Sequence, residues 1–203
     1  MSVKSYTDDQ LLSRVKALPS FKSIPEGRWI IGVRSDEDME NKFDDKFYVY
    51  EGEKFIQVMS GTTNPGKTIL RGGFKSYNSV GAAVVKADEW YYDLWKYGLH
   101  KGKMSALLQL GSQIIVFRDG DQDGKSEEIG KPIKGWFGIN FHTNTYDFSD
   151  PNLKVKKDSI DGWSAGCQVI NDREKYAEQM KYFSLALKNG TQTHVSYVLL
   201  KEF

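Results

Sequence analysis

Residues 136–143 read WFGINFHT, and the alternation of residue types in this stretch predicts a strand that decides the fold class. Successive side chains of a strand point to opposite faces, so Phe137, Ile139 and Phe141 form one apolar face. His142 lies near the end of the predicted strand, on the face opposite this apolar row. The stretch therefore predicts a strand that packs one face on the core and presents a histidine on the other.

Strand patterns recur on both sides of this stretch, so the chain is predicted to be mainly β, in an α+β arrangement. The predicted strands are 28–35, a hairpin over 45–61 that turns at Glu51-Gly52, 105–120, 134–144 and 193–203. Residues 62–78 are rich in turn-forming residues, which predicts a loop, and residues 80–99 fit no single element.

One helix is predicted near each end of the chain. Thr7 and Gln10 have the spacing of a capping box at the start of the N-terminal helix. Asn171-Asp172 is predicted to cap the C-terminal helix, and Gly190 to end it. The apolar face predicted for that helix consists of Tyr176, Met180, Phe183 and Leu187. The predicted organisation is an N-terminal helix and connector over residues 1–26, followed by one domain over residues 27–203.

The charge balance and the hydropathy pattern exclude several classes of partner. The chain has 28 Lys and Arg against 27 Asp and Glu, a net charge of +1, which predicts no nucleic-acid partner. No uncharged apolar run approaches the ~18 residues of a membrane span. The N-terminal sequence MSVKSYTDDQLL has no signal-peptide core, so a protein that is cytoplasmic as synthesised is expected. Nothing in the sequence indicates an oligomeric state.

The chain contains a single cysteine, Cys167, which excludes an intramolecular disulfide. It follows Ser164-Ala165-Gly166, three small residues that predict a tight turn and a close backbone approach. The amides of Gly166 and Cys167 are candidate oxyanion donors. As a nucleophile, Cys167 would need a nearby imidazole and a depressed pKa, and His142 is the candidate partner. The alternative is a small, buried apolar residue, which is the commoner role of a lone cysteine.

The strand that ends in G-I-N-F-H and the later S-A-G-C resemble the catalytic domain of L,D-transpeptidases, the YkuD-like family. The matching residues are Gly138, His142, Ser164, Gly166 and Cys167. Ala165 stands where the family usually has a second histidine, and Gln168-Val169 replaces its hydrophobic–Arg/Asn pair. The resemblance extends over about residues 110–172.

The resemblance implies a mixed β-sandwich and a cysteine enzyme that acts on peptidoglycan stem peptides without a cofactor. Cys167 would form a thioester, His142 would be the general base, and Ser164 and Gly166 would complete the catalytic motif. Cross-linking and hydrolysis both remain open, and the enzyme would act on the cell wall after release or dedicated secretion. The alternative is a catalytically degenerate module of the same fold, which binds wall peptides or serves a phage or secretion particle.

Four residues close in sequence to the proposed pair are candidates for substrate binding: Asn140, Tyr146, Trp163 and Gln168. For the two aromatic residues, packing in the core is the common alternative. The segment between His142 and Trp163 carries Lys154, Lys156 and Lys157, which fits a flap over the site or a solvated face.

The sequence RDGDQDGKSEE contains a weak candidate calcium site. Asp119, Asp121 and Asp123 alternate before Gly124, as in the first half of an EF-hand loop. Gly130 occupies the position where such a loop has its bidentate glutamate, which favours an acidic, solvated turn between two strands. The two remaining histidines, His100 and His194, have no partners at metal-ligand spacing and are predicted to be surface or packing residues.

Overall fold

The computed structural model of the chain describes residues 3–37, 40–73, 80–146 and 158–203. The prediction of a mainly β protein is confirmed, with 37% of residues in strands and 16% in helices. The helices are α1 (Asp8–Lys16), α2 (Lys67–Leu70) and α3 (Arg173–Lys188). The strands are β1 (Arg28–Arg34), β2 (Asp45–Glu51), β3 (Lys54–Thr62), β4 (Ala82–Val85), β5 (Glu89–His100), β6 (Met104–Gln109), β7 (Ile114–Asp119), β8 (Ile133–Gly135), β9 (Phe141–Thr143), β10 (Gln168–Ile170) and β11 (Val195–Lys201).

Eight strands form a closed barrel in the order β1-β11-β5-β6-β9-β10-β3-β2, and β4-β7-β8 form a separate three-stranded sheet. β1 pairs with β11, and β9 with β10, in parallel. In the described residues the main sheet closes on itself, and the more specific expectation of a mixed β-sandwich stays a prediction. No helix within these ranges is long and apolar enough to cross a membrane.

Strands β1 and β11 are buried on both faces, because the barrel has packing partners inside and outside. Ile30 belongs to the core cluster that fills the barrel and extends to α3 and the small sheet. Its neighbours Trp29 and Ile31 belong to a second cluster, which also contains Leu11 and Val15 of α1. The N-terminal helix therefore covers the outer face of the barrel with the apolar side that its sequence predicts.

Three local predictions are confirmed. The capping box starts α1: Gln10 N–H donates to Thr7 Oγ1 (3.3 Å), and Thr7 N–H donates to Gln10 Oε1 (2.9 Å). The hairpin turns at Gly52, which has a φ of +57°. The last helix ends before Gly190, whose φ of +68° suits the left-handed end of a helix.

Other element predictions were wrong in their extent. The strand predicted over 134–144 is divided between β8 and β9, and Gly138 between them has a φ of +68°, outside the strand region. The strand predicted over 105–120 is two strands, β6 and β7. The predicted loop over 62–78 contains the short helix α2, and its residues 74–78 lie outside the described ranges.

The C-terminal helix differs from its prediction in two details. Asp172 is its N-cap, but the Asp172 side chain makes no capping hydrogen bond. On the apolar face, Ala186 is buried where Leu187 was expected, and Leu187 is 38% exposed. The remaining predicted face residues, Tyr176, Met180 and Phe183, are buried.

A buried set of hydrogen bonds, here called the Arg34 network, joins the barrel to the small sheet through Arg34, Asp45, Thr63 and Glu128. The guanidinium of Arg34 donates to Thr63 Oγ1 (3.0 Å), to Glu128 Oε1 (3.1 Å) and to the carbonyl oxygen of Val85 in β4 (2.9 Å). Asp45 Oδ2 accepts from the Thr63 N–H (2.6 Å) and from the Thr63 hydroxyl (2.8 Å). Each nitrogen of the guanidinium therefore has an acceptor.

Asp45 is almost completely buried within this network. Burial raises the pKa of its carboxyl to about 6, while hydrogen bonds from Ser35 and Thr63 and the nearby charge of Arg34 oppose that rise. Burial therefore has the larger effect on this carboxyl, although three donors point at it.

Candidate active site

The parallel pairing of β9 and β10 places Cys167 and His142 on the same face of the sheet. Val169 lies opposite His142, and Gln168 lies opposite Phe141. Because side chains alternate along a strand, Cys167, two residues before Val169, shares the face of Val169 and His142. Phe141 lies on the other face, in the core that fills the barrel. The two predicted catalytic residues are therefore diagonal neighbours on the outer face of the barrel.

The turn before β10 is built by Ser164, which is fully buried. Its Oγ accepts from the Gly166 N–H (3.1 Å) and donates to the Cys167 carbonyl (2.8 Å). Gly166 has a φ of +136°, and a Cβ on it would lie 2.5 Å from the carbonyl oxygen of Ala83 in β4. The Ala83 N–H donates to the Ala165 carbonyl (3.1 Å). The close backbone approach predicted for this turn is thus made against β4, and only glycine fits at position 166.

The two predicted oxyanion donors have different surroundings. The Gly166 N–H is already hydrogen-bonded to Ser164 Oγ. The Cys167 N–H has no hydrogen-bond partner within the described ranges. In this conformation Cys167 therefore offers the available amide, and Ser164 shapes the turn that presents it.

The thiol of Cys167 is half-buried and has weak polar contacts. The Asn140 N–H approaches its Sγ at 3.5 Å, and the Gly138 carbonyl oxygen also lies 3.5 Å from the sulfur. Burial raises the pKa of the thiol to about 11, against the opposing effects of Asn140 and Lys101. This direction is opposite to the depressed pKa expected for a nucleophile paired with an imidazolium, because one long contact from an N–H does not offset desolvation of the thiolate.

His142 is buried, and one hydrogen bond fixes its tautomer. Its Nδ1 lies 2.8 Å from the Thr143 carbonyl oxygen, which can only accept, so Nδ1 carries the proton. Nε2 then has a free lone pair, and it has no hydrogen-bond partner in the part of the chain that the structure describes. Burial lowers the pKa of His142 to about 3, and His100 and Lys101 lower it further. At neutral pH the ring is therefore a neutral imidazole, which can accept a proton but is a weaker base than one whose pKa lies near 7.

The structure also places His100 beside His142. The sequence predicted His100 to be a surface or packing residue. The rings of His100 and His142 are stacked, with centroids 4.4 Å apart and an interplanar angle of 18°. His100 Nδ1 also lies 3.0 Å from Asn140 Nδ2. His100 lies some 40 residues from Asn140 along the chain, and no motif spacing in the sequence links the two residues. Cys167, His142, His100 and Asn140 are together called the thiol site below.

The candidate substrate-binding residues divide into two groups. Asn140 belongs to the thiol site, and the rings of Tyr146 and Trp163 pack on each other with centroids 5.3 Å apart. Gln168, in contrast, is fully buried, and its Oε1 accepts from the Tyr197 hydroxyl (2.6 Å). The Gln168 amide thus faces the barrel core, away from the face that carries Cys167 and His142, and its predicted contact with substrate stays a prediction.

The lysines predicted to belong to a flap, Lys154, Lys156 and Lys157, lie outside the described residues. The acidic segment of the weak calcium candidate joins β7 to β8, as the turn interpretation predicts. Asp119 is buried and accepts from the Glu127 N–H (2.9 Å), while the carboxylates of Asp121, Asp123 and Glu127 lie within 4.8 Å of one another and are exposed. Of the three aspartates of the candidate site, Asp119 therefore has a structural role, and Asp121 and Asp123 belong to an exposed acidic group.

Comparison with known proteins identified no relative of this chain. The chain matches no model of a known protein family, and neither a curated protein nor a solved structure matches it. The chemistry of the thiol site and the motif resemblance are therefore the basis for assigning a function.

Proposed function

We propose that the protein is a cysteine-dependent acyltransferase or hydrolase of L,D-transpeptidase type that acts on peptidoglycan stem peptides. The observation that carries the proposal is the shared face of Cys167 and His142 on the β9–β10 pair. The Thr143 carbonyl holds the proton of His142 on Nδ1, which leaves Nε2 able to take a proton. A cysteine, an imidazole and an acceptor that orients the imidazole are three of the groups that nucleophilic catalysis uses.

The proposed reaction has two acyl-transfer steps. Cys167 Sγ attacks the carbonyl carbon of the peptide bond while His142 Nε2 accepts the thiol proton. The Cys167 N–H donates to the oxyanion that forms. Collapse of this intermediate breaks the C–N bond, and the departing amine takes the proton from His142, which leaves a thioester on Cys167. An amine or water then attacks the thioester, giving a new cross-link or a free carboxylate, and the thiol regains its proton.

The raised pKa of the thiol and the lowered pKa of the imidazole indicate how the first step proceeds. Both groups are neutral at rest, so the proton moves as the sulfur attacks and no stable ion pair precedes the attack. Lys101 acts on both groups through its charge, and it favours the thiolate as that charge develops. The pair is therefore expected to react with a bound, activated carbonyl in preference to small electrophiles in solution.

The substrate class rests on the resemblance of G-I-N-F-H and S-A-G-C to the L,D-transpeptidase motif. The paired rings of Tyr146 and Trp163, the first of them 45% exposed, add an aromatic surface of the kind that binds sugar-linked peptides. Under this proposal the enzyme reaches its substrate in the cell wall after release or dedicated secretion.

A second candidate function is a catalytically degenerate module that binds wall peptides. Two observations favour it: burial raises the pKa of the Cys167 thiol, and the Gly166 amide is already bonded to Ser164. Such a module would retain the thiol site and the aromatic pair without turnover.

The deciding experiment is incubation of the purified protein with isolated peptidoglycan and soluble muropeptides, read by mass spectrometry. Variants Cys167→Ala and His142→Ala test the pair, and His194→Ala is the matched histidine control, because His194 bonds to Thr193 outside the thiol site. We expect products to disappear in Cys167→Ala and turnover to fall by about 10²–10⁴-fold in His142→Ala. His194→Ala should match the original protein.

The product masses separate trimming, cleavage and cross-linking. Full turnover in Cys167→Ala would exclude a cysteine mechanism. An unchanged muropeptide profile, with peptide still bound to the protein, would instead establish the binding module.

A further inference from the structure

The hydrogen bonds around Asn140 determine the orientation of its amide and the tautomer of His100. The backbone N–H of Gln109 can only donate, and it lies 2.9 Å from one atom of the Asn140 amide, which must be Oδ1. The other atom, Nδ2, is therefore the donor that faces His100 Nδ1 at 3.0 Å. His100 Nδ1 must accept, so this ring carries its proton on Nε2 and is neutral.

Asn140 also connects His100 to the nucleophile. Its backbone N–H contacts Cys167 Sγ (3.5 Å), and its backbone carbonyl accepts from the Gln168 N–H (2.9 Å). His100 is thus fixed by the same residue that pairs with the start of β10. Its ring lies against His142, close to parallel, with centroids 4.4 Å apart.

We propose that His100 is a positioning residue that holds the His142 ring by stacking, so that Nε2 of His142 keeps a fixed direction on the face that carries Cys167. This inference rests on the proposed function of the Cys167–His142 pair. The hydrogen bond to Thr143 fixes only one atom of the His142 ring, which leaves rotation about the side-chain bonds to be restrained by packing. A flat ring on its face supplies that restraint, and His100 is the ring in contact.

The requirement is geometric, because proton transfer needs the lone pair of Nε2 on the path of the thiol proton. A misplacement of a catalytic group by ~1 Å costs roughly 10²-fold in rate. Loss of the stack should therefore lower kcat and leave KM, which reports substrate contacts, nearly unchanged.

The test compares His100→Ala and His100→Gln, which remove the flat ring, with His100→Phe, which retains it. His194→Ala is the control. The first readout is kcat and KM on soluble muropeptides. The second is an NMR titration of the His142 ring, whose titratable or charged neighbours are His100, Lys101 and Cys167, and this readout needs no substrate. Thermal melting identifies variants that remain folded.

We expect a fall in kcat of about 10- to 100-fold in the Ala and Gln variants, with recovery of most of it in the Phe variant. The His142 ring should titrate at a higher pH in the Ala and Gln variants, because water reaches it, and should remain neutral in the Phe variant. Unchanged kcat and titration in folded Ala or Gln variants would overturn the inference, as would a Phe variant no better than the other two.

The two proposals fail in distinguishable ways. Absence of muropeptide turnover by the original protein would remove the proposed function, while the titration would still decide the role of His100. If His100→Ala does not fold, the contrast between the Gln and Phe variants decides it.

Discussion

The Arg34 network and the thiol site are two polar groups built at different places on the same barrel. In the network, each guanidinium nitrogen of Arg34 has an acceptor and Asp45 accepts from three donors. In the thiol site, within the described ranges, His142 Nε2 and the Cys167 N–H have no partner, and the thiol contacts are long. Both sites are desolvated, but only the first is saturated with hydrogen bonds.

This difference is the one expected between a structural role and the reactive role that the proposed function assigns to the thiol site. A satisfied buried network stabilises one arrangement of the chain and offers nothing to a ligand. A site with an unused lone pair and an unused N–H leaves both groups available to a ligand. The following predictions test this contrast.

The largest effect on stability is expected at Arg34. Replacement by methionine in Arg34→Met leaves Glu128 and Thr63 without their buried partner, which should lower the free energy of unfolding by about 3–5 kcal/mol. The control is Lys16→Met, because the Lys16–Glu53 ion pair is exposed and should contribute less than ~1 kcal/mol. Urea unfolding measures both. An equal, small loss in the two variants would show that the network does not hold the sheets together.

The next effect concerns the thiol. With a pKa raised to about 11, native Cys167 should react with iodoacetamide at pH 8 about 200-fold more slowly than the unfolded chain, whose thiol has a pKa of ~8.5. The native rate should rise through pH 10, where the unfolded rate has levelled off. Rates measured from pH 6 to 10.5, with and without urea, test this. A native rate that levels off below pH 8 would indicate a preformed thiolate–imidazolium pair instead.

The smallest effect is a pair of opposite dependences of stability on pH. The pKa of His142 is lowered to about 3 on folding, so its contribution is present above pH ~6.5 and is lost as the pH falls towards 3. The pKa of Asp45 is raised to about 6, so its contribution is present below pH ~3.9 and is lost as the pH rises through 6.

The contribution of each group to stability is obtained by subtracting the free energy of unfolding of a variant that lacks the group from that of the original protein. Between pH 7.5 and 4.5, the advantage of the original protein over His142→Phe should shrink by about 2.7 kcal/mol, and its advantage over Asp45→Asn should grow. Differences that stay constant with pH would mean that folding shifts the pKa of neither group.

The sequence predicted those elements that local rules determine. The capping box of α1, the hairpin turn at Gly52 and the end of α3 before Gly190 depend on neighbouring residues, and all three are confirmed. The segment 80–99 could not be placed, because Asp93 in β5 has a φ of +52° and the register with β11 shifts there. Such a bulge inverts the alternation of side chains, which is the signal that identifies a strand.

The thiol site was predicted only where the motif covers it. Cys167 and His142 carry the motif, and their shared face follows from the strand pairing. His100 could not be predicted, since its stack on His142 depends on how the end of β5 lies beside β9 in the closed barrel. The direction of the thiol pKa also depends on burial, which a sequence motif does not reveal.

The parallel pairing of β9 and β10 has a consequence for how such a protein can diversify. Because the two strands are parallel, the chain leaves one end of the pair and must return to the other before β10 begins. Under the proposed function, the base lies on the departing strand and the nucleophile in the Ser164–Gly166 turn that leads into the returning strand, so the strand pairing and this turn set their separation. Changes in the connection before Ser164 can accumulate over generations while the turn and the pairing keep both groups in place. Under that proposal, descendants of this chain can acquire new acyl donors while keeping one chemistry.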